Sequence, residues 1–227
     1  ASDVYKRQMF DEAKRNGIEL RKEDFCRFGK DIRLFDGVRE WFGRVNEYGR
    51  KHGAVIEHYI NSSGLKEIIE GSPIAGEFKH IFAGSFIYDE NGEAVWPGIA
   101  VDYTGKTQYL FKINKGIFSA RDTKLVNAST ADDKKRIPFT NMIYFGDGDT
   151  DVPCMKIVGM FGGHSIAVYN PDDERKKAAA LKLKHQGRVG FSIPAIYTED
   201  SKAFRLVKAI IDKIVADHEL ALLKKIA

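Results

Sequence analysis

Cysteine is scarce in this chain of 227 residues: Cys26 and Cys154 are the only two, in no CxxC or zinc-like spacing. That argues against a disulfide framework and points to a reducing, cytoplasmic compartment. Long hydrophobic runs are missing too. Apolar stretches such as residues 143–145 fall far short of the roughly 20 residues a membrane-spanning helix needs, so no membrane partner is expected. Charge of one sign is also lacking. Thirty-six Lys and Arg against 32 Asp and Glu leave a formal charge of +4, too little to argue for nucleic acid without a clustered basic face. There is no internal repeat, no low-complexity segment and no charged-then-apolar signal pattern.

What is present is ordinary for a globular domain: 43% apolar and 30% charged residues. The length suits one full domain with an appendage, or two small domains. Residues 1–8 (ASDVYKRQ) read as an artefactual or disordered segment and are set aside from the fold reading. From residue 9 to about 51 the apolar positions have helical spacing, clearest in Val38, Trp41, Phe42 and Val45. Residues 54–61 (AVIEHYIN) read as a strand, Ser62-Ser63-Gly64 as a turn, and Leu65, Ile68 and Ile69 as the start of a helix.

Asn91-Gly92 inside residues 81–103 predicts a hairpin. Residues 104–115 read as helix and 116–136 as a charged, mobile loop. Residues 142–145 read as a strand, 152–160 as a helix with Pro153 in its first turn, and 165–169 as a further strand. Residues 172–185 form a basic amphipathic helix and residues 201–225 a closing helix. Strands alternating with helices predict an α/β fold with a three-layer, Rossmann-like parallel sheet.

The strongest chemical signal is residues 143–151, IYFGDGDTD. An apolar strand delivers carboxylates to its C-terminal end, where open α/β sheets place ligands. Asp147, Asp149 and Asp151 repel one another unless a cation sits among them, and oxygen-only ligands suit magnesium. Capping of the next helix through Thr150 or Asp151 explains one acid, not three. Ser62 and Ser63 before a helix N-terminus could hold a phosphate through hydroxyl and N–H groups; standing alone, they would simply cap the helix. Lys106 opens another helix, where a lone lysine is ordinarily solvated.

In combination these residues resemble the haloacid dehalogenase-like phosphatases, especially the phosphoserine-phosphatase-like branch. The resemblance covers about residue 35 to the last residue. It implies that Ser62 is the phosphate-binding hydroxyl, with Ser63 and Gly64 adding N–H donors. It implies that Lys106 is the phosphate-binding cation, that Asp147 ligates Mg2+ directly, and that Asp151 does so directly or through water. Residues 9–34 would be the remnant of a small helical cap, residues 35–227 the α/β core, and the hairpin a flap.

The expected activity is hydrolysis of a small phosphomonoester through an aspartyl-phosphate. The sequence departs from the family in one respect: no Asp-x-Asp-x-Thr occurs, so the attacking aspartate and its partner acid are missing. The family places that motif upstream of residue 9, and the chain reads as an N-terminally truncated, catalytically impaired copy.

Two other readings compete. A P-loop would need a glycine five positions before Gly105, where Ala100 stands. A non-catalytic binding protein of the same fold would account for the missing nucleophile. The basic run Glu174-Arg175-Lys176-Lys177 with Lys182, Lys184, His185 and Arg188 has no interleaved aromatics and reads as a solvated face. His164 reads as structural and Trp41, Trp96 and Cys154 as packing residues, although His164 or Trp96 could approach a ligand.

Overall fold

The computed structural model describes residues 2–119, 127–128, 131 and 134–226, so the expectation of a mobile loop over 116–136 lies largely outside the described residues. Over the described residues the chain is a mixed α/β protein with two three-stranded sheets and surrounding helices. It divides into two compact units, residues 1–33 with 57–111, and 34–56 with 112–227.

The first unit holds α1 (Ser2–Arg15), α2 (Lys22–Lys30), β1 (Tyr59–Leu65), α4 (Lys66–Glu70), β2 (His80–Tyr88), β3 (Ala94–Ile99) and most of α5 (Gly105–Lys115); α3 (Val38–Lys51) belongs to the other unit. β1 runs parallel to β2, and β2 antiparallel to β3. The hairpin expected at Asn91-Gly92 is present. Gly92 takes φ +76°, which a residue with a Cβ adopts only under strain, and Asp89 Oδ1 accepts the N–H groups of Asn91 and Glu93 at 2.9 Å each. The core beneath it gathers Phe25, Phe86 and Ala94, with Phe10, Leu20, Leu65 and Ile68 against them. Phe25 stacks on Phe86 with ring centroids 5.6 Å apart.

The second unit holds α3 (Val38–Lys51), β4 (Ile143–Gly146), α6 (Val152–Met160), β5 (His164–Tyr169), α7 (Glu174–His185), β6 (Phe191–Pro194) and α8 (Lys202–Leu223). Its sheet is wholly parallel in the order β4-β5-β6. The central strand β5 is buried over Ser165–Val168, as a parallel strand covered on both faces must be. Trp41, Phe42 and Val45 of α3 are buried together with Phe204 and Val207 of α8, and Trp41 meets Phe204 edge-on at 6.0 Å.

Among the described residues, α7 and α8 start on side-chain caps. Asp173 accepts the N–H groups of Arg175 and Lys176, and Ser201 that of Phe204. In α7, Glu174 in the first turn and Lys182, Lys184 and His185 in the last complement the helix dipole.

Two departures from the sequence reading concern strands. β1 begins later than residues 54–61 and runs on through Ser62-Ser63-Gly64, because pairing with β2 resumes at Leu65 opposite Gly84. β6, only four residues long and ending in Pro194, carries little local strand signal and exists through its pairing with β5. No helix among the described residues is long and apolar enough to cross a membrane.

Candidate functional site

In the first unit, the β1–β2 register breaks at the candidate serines. Asn61 pairs with Phe82 and Leu65 with Gly84, leaving Ser62, Ser63 and Gly64 opposite Ala83 alone. This bulge re-aims the strand, a feature common beside functional sites. Ser62 Oγ accepts the N–H of Gly64 at 3.0 Å. The Gly64 N–H expected to meet a phosphate is therefore turned onto the neighbouring hydroxyl.

Ser63 Oγ is buried with no hydrogen-bond partner among the described residues, and the buried ammonium of Lys6 donates to the Ser63 carbonyl at 3.3 Å. The following helix α4 has five residues and starts at Leu65 without a side-chain cap. Neither serine caps it, and so short a helix adds little dipole attraction for an anion. The hydroxyls of Ser62 and Ser63 remain as the candidate donors.

Lys106 does not behave as a lone surface lysine: it is 5% exposed. Its main chain sits in the first turn of α5, where its N–H donates to the Asp102 carbonyl at 3.0 Å. The carboxylate of Asp102 accepts the N–H of Gly105 and the Thr104 hydroxyl, and these bonds hold it below the usual carboxylate range. Asn61, next to Ser62 in β1, donates from Nδ2 to the Lys106 carbonyl at 3.0 Å. One amide thus ties the serine strand to the lysine turn.

In the second unit, Asp147 follows the last residue of β4, at the carboxyl end of the parallel sheet. Asp147 and Asp149 are exposed, and Asp151 is buried at 5% exposure. Asp149–Asp151 form one 3-10 turn leading into α6, and Asp151 makes no side-chain cap there. Its carboxylate faces inward instead: Oδ1 accepts the Tyr144 hydroxyl at 2.8 Å and Oδ2 the Asp147 N–H at 3.3 Å. Burial, then the adjacent Asp151 charge, pushes the Tyr144 hydroxyl far above its ordinary range.

At the same rim, after β6, stands Tyr197. Its ring meets Trp41 edge-on at 5.2 Å and tilts against Phe145 at 6.4 Å. Burial and the nearby Asp147 charge push its hydroxyl up to about 12.

No group of three or more His, Cys, Asp or Glu side chains among the described residues is arranged to hold a metal ion. The donor chemistry of the turn nonetheless fits magnesium, which keeps several waters and takes one or two carboxylates with a substrate phosphate. Asp147 offers such a carboxylate at an open rim.

The remaining sequence candidates fall elsewhere. His164 opens β5 opposite Ile143, at the amino end of the sheet and away from Asp147. Trp96 lies on β3, half exposed, with the Arg7 guanidinium 5.6 Å from its ring. Trp41 and Cys154 are core residues. The lysines and arginines of α7 lie on its solvated side, with Lys177 paired to Glu174 at 3.0 Å.

No family model matches the chain. An uncharacterized protein of Borreliella burgdorferi is 30% identical to it over 199 residues, 79% of this chain and 67% of the relative. The chain belongs to the same family as that protein. A match of that extent exceeds either compact unit, so it takes in residues of both.

Three residues at these sites escaped the sequence reading: Asn61, Tyr144 and Tyr197. A hydrogen-bonding side chain inside a strand carries no motif. The alternation of β4, which buries Tyr144 and Gly146 on one face, was the one available signal for Tyr144.

Proposed function

We propose that the chain carries the phosphate- and cation-handling residues of a haloacid dehalogenase-like, magnesium-dependent phosphatase for a small phosphomonoester. The observation that supports this best is the acidic turn at the carboxyl end of β4, with Asp147 exposed at the rim where open α/β sheets take their ligands. The burial of Lys106 beside the Ser62 strand, its carbonyl tied to Asn61, adds weight by keeping the two candidate phosphate-binding residues together.

In this reading Asp147 holds the ion, with Asp151 joining directly or through water. When bound, magnesium neutralises phosphoryl oxygens. Lys106 supplies a second positive charge to the phosphate, and the Ser62 and Ser63 hydroxyls donate hydrogen bonds that orient it. The reading takes Ser62 and Lys106 as phosphate-binding residues and Asp147 as the cation ligand. It treats the sheets as parts of a three-layer Rossmann-like core, the β2–β3 hairpin as a flap, residues 9–34 as the remnant of a helical cap, and the cytoplasm as the compartment.

The sequence has no Asp-x-Asp-x-Thr, so the chain supplies no attacking aspartate in that form. Loss of a nucleophile from residues that act as a unit costs about 10⁴-fold or more in rate. The same absence favours, as a second reading, a binding protein that retains the phosphate without hydrolysing it.

Calorimetric titration with inorganic phosphate and Mg2+, beside hydrolysis of an aryl phosphate, tests both readings. Binding weakened by Lys106→Ala and Asp147→Asn, with turnover near the buffer level, is expected. Fast Mg2+-dependent turnover lost in Asp147→Asn would overturn the impairment. Absence of both phosphate and Mg2+ binding would overturn the site.

A further inference from the structure

The carboxylate of Asp151 is turned toward the protein rather than the rim. It is 5% exposed, and each of its oxygens meets a protein donor, the Tyr144 hydroxyl at 2.8 Å and the Asp147 N–H at 3.3 Å. The strand is shaped around it. A Cβ on Gly146 would lie 2.5 Å from Asp151 Cβ and 2.8 Å from Asp151 Cγ, with Met155 Cε at 2.4 Å. Gly146 is therefore the residue that lets the carboxylate fold back over the end of β4. Tyr144 and Gly146 share the buried face of that strand, which puts the hydroxyl under the turn it holds.

We propose that Tyr144 and Asp151 form a positioning pair that sets the main chain of the acidic turn, so that Asp147 presents its carboxylate to a divalent cation while Asp151 acts on the backbone instead of ligating the cation directly. The proposal rests on the cation-site reading above and assigns its two carboxylates different work. A direct magnesium–oxygen bond needs about 2.0–2.1 Å and near-octahedral directions, whereas the Asp151 carboxylate is buried at 5% exposure and engaged by the Tyr144 hydroxyl and the Asp147 N–H. A carboxylate that orients a ligand-bearing segment matters nearly as much as the ligand, with losses of about 10–100-fold in metal affinity when such partners are removed.

Two readouts on the full chain test this. The first, without metal, is amide hydrogen exchange of Asp147 by NMR. The second is binding of Mn2+ followed by electron paramagnetic resonance of the free ion. Tyr144→Phe removes one hydroxyl; it should speed exchange at Asp147 and weaken Mn2+ about tenfold, with circular dichroism unchanged. Asp151→Asn, which keeps the shape, should likewise weaken Mn2+ but retain measurable binding, whereas Asp147→Asn should abolish it.

Loss of Mn2+ binding in Asp151→Asn as complete as in Asp147→Asn would make Asp151 a direct ligand and overturn the proposal. Wild-type exchange and affinity in Tyr144→Phe would overturn it as well. Should that variant not fold, the Asp151→Asn comparison decides. Failure of the wild-type chain to bind Mn2+ would remove the cation-site reading and with it the role assigned to Asp147, while the exchange data would still show whether the pair holds the turn.

Discussion

The guanidinium of Arg44 donates from Nη2 to the Tyr197 carbonyl at 2.5 Å and to the Gly37 carbonyl at 3.0 Å. The Tyr197 N–H in turn donates to the Asp36 carbonyl at 2.8 Å. The segment after β6 is thereby held against the start of α3, which fixes the Tyr197 ring beside Trp41 and near Asp147. Arg44→Ala leaves these carbonyls without their charged donor and is expected to cost about 1.5–3 kcal/mol, read as a lower midpoint in urea unfolding. Arg44→Lys should recover only part, since a lysine stem does not place its ammonium where the planar guanidinium holds Nη2.

Glycine matters most where α2 meets α4. A Cβ on Gly71 would lie 1.9 Å from the Cys26 carbonyl oxygen, and one on Gly29 would lie 2.1 Å from that of Ile68. These neighbours are backbone and cannot swing aside. Gly71→Ala should therefore destabilise the first unit by about 3 kcal/mol, the upper end for overpacking. Gly43, inside α3 with nothing within 4 Å of its would-be Cβ, is the control; Gly43→Ala should raise stability by about 0.5–1 kcal/mol. Thermal unfolding of both variants checks the contrast.

His164 gives the stability a pH dependence of known sign. Burial, then the nearby Lys213, holds its imidazole below its ordinary 6.5, with Asp217 opposing, and Nε2 is buried without a partner among the described residues. In the window between the folded value and 6.5 the unfolded chain binds more protons than the folded one. The contribution is therefore complete above 6.5 and declines as pH falls through that window, levelling once the folded imidazole is protonated. His58 is shifted the same way by burial, so the difference between wild type and His164→Gln isolates the effect. Denaturant midpoints from pH 5 to 8 should show a smaller slope in the variant; equal slopes would remove His164 as the source.

Asn61 tests the phosphate half of the proposed site without touching Ser62 or Lys106. Removing its bond to the Lys106 carbonyl loosens the lysine turn. One neutral hydrogen bond of about 1 kcal/mol corresponds to about a fivefold loss of affinity. Asn61→Ala should raise the dissociation constant for inorganic phosphate by that factor while helix content stays constant.

Much of the local structure was legible from residue order. Asn91-Gly92 marked the hairpin, the apolar run at 143–145 marked β4, and the spacing of Phe204, Val207, Ile210 and Ile211 marked the face of α8 that is buried. Those features depend on neighbours a few residues away, and backbone preference and periodicity report them directly. The acidic turn was legible for the same reason, as consecutive charges after a strand.

Position across the fold was not legible. Whether Lys106 is solvated or buried depends on elements such as β1, and whether Ser62-Ser63-Gly64 is a turn or a bulged strand depends on β2, each contributed by another stretch of chain. β6 exists only because β5 offers it a ladder. His164 falls at the amino end of β5, away from Asp147, because parallel pairing sends the two residues to opposite rims. Composition and order thus determined which helices and turns form and which carboxylates stand together in sequence. Tertiary structure alone decided that Asp147 faces outward and Asp151 inward, because that choice is made by a hydroxyl on a buried strand face and by the space a missing Cβ leaves.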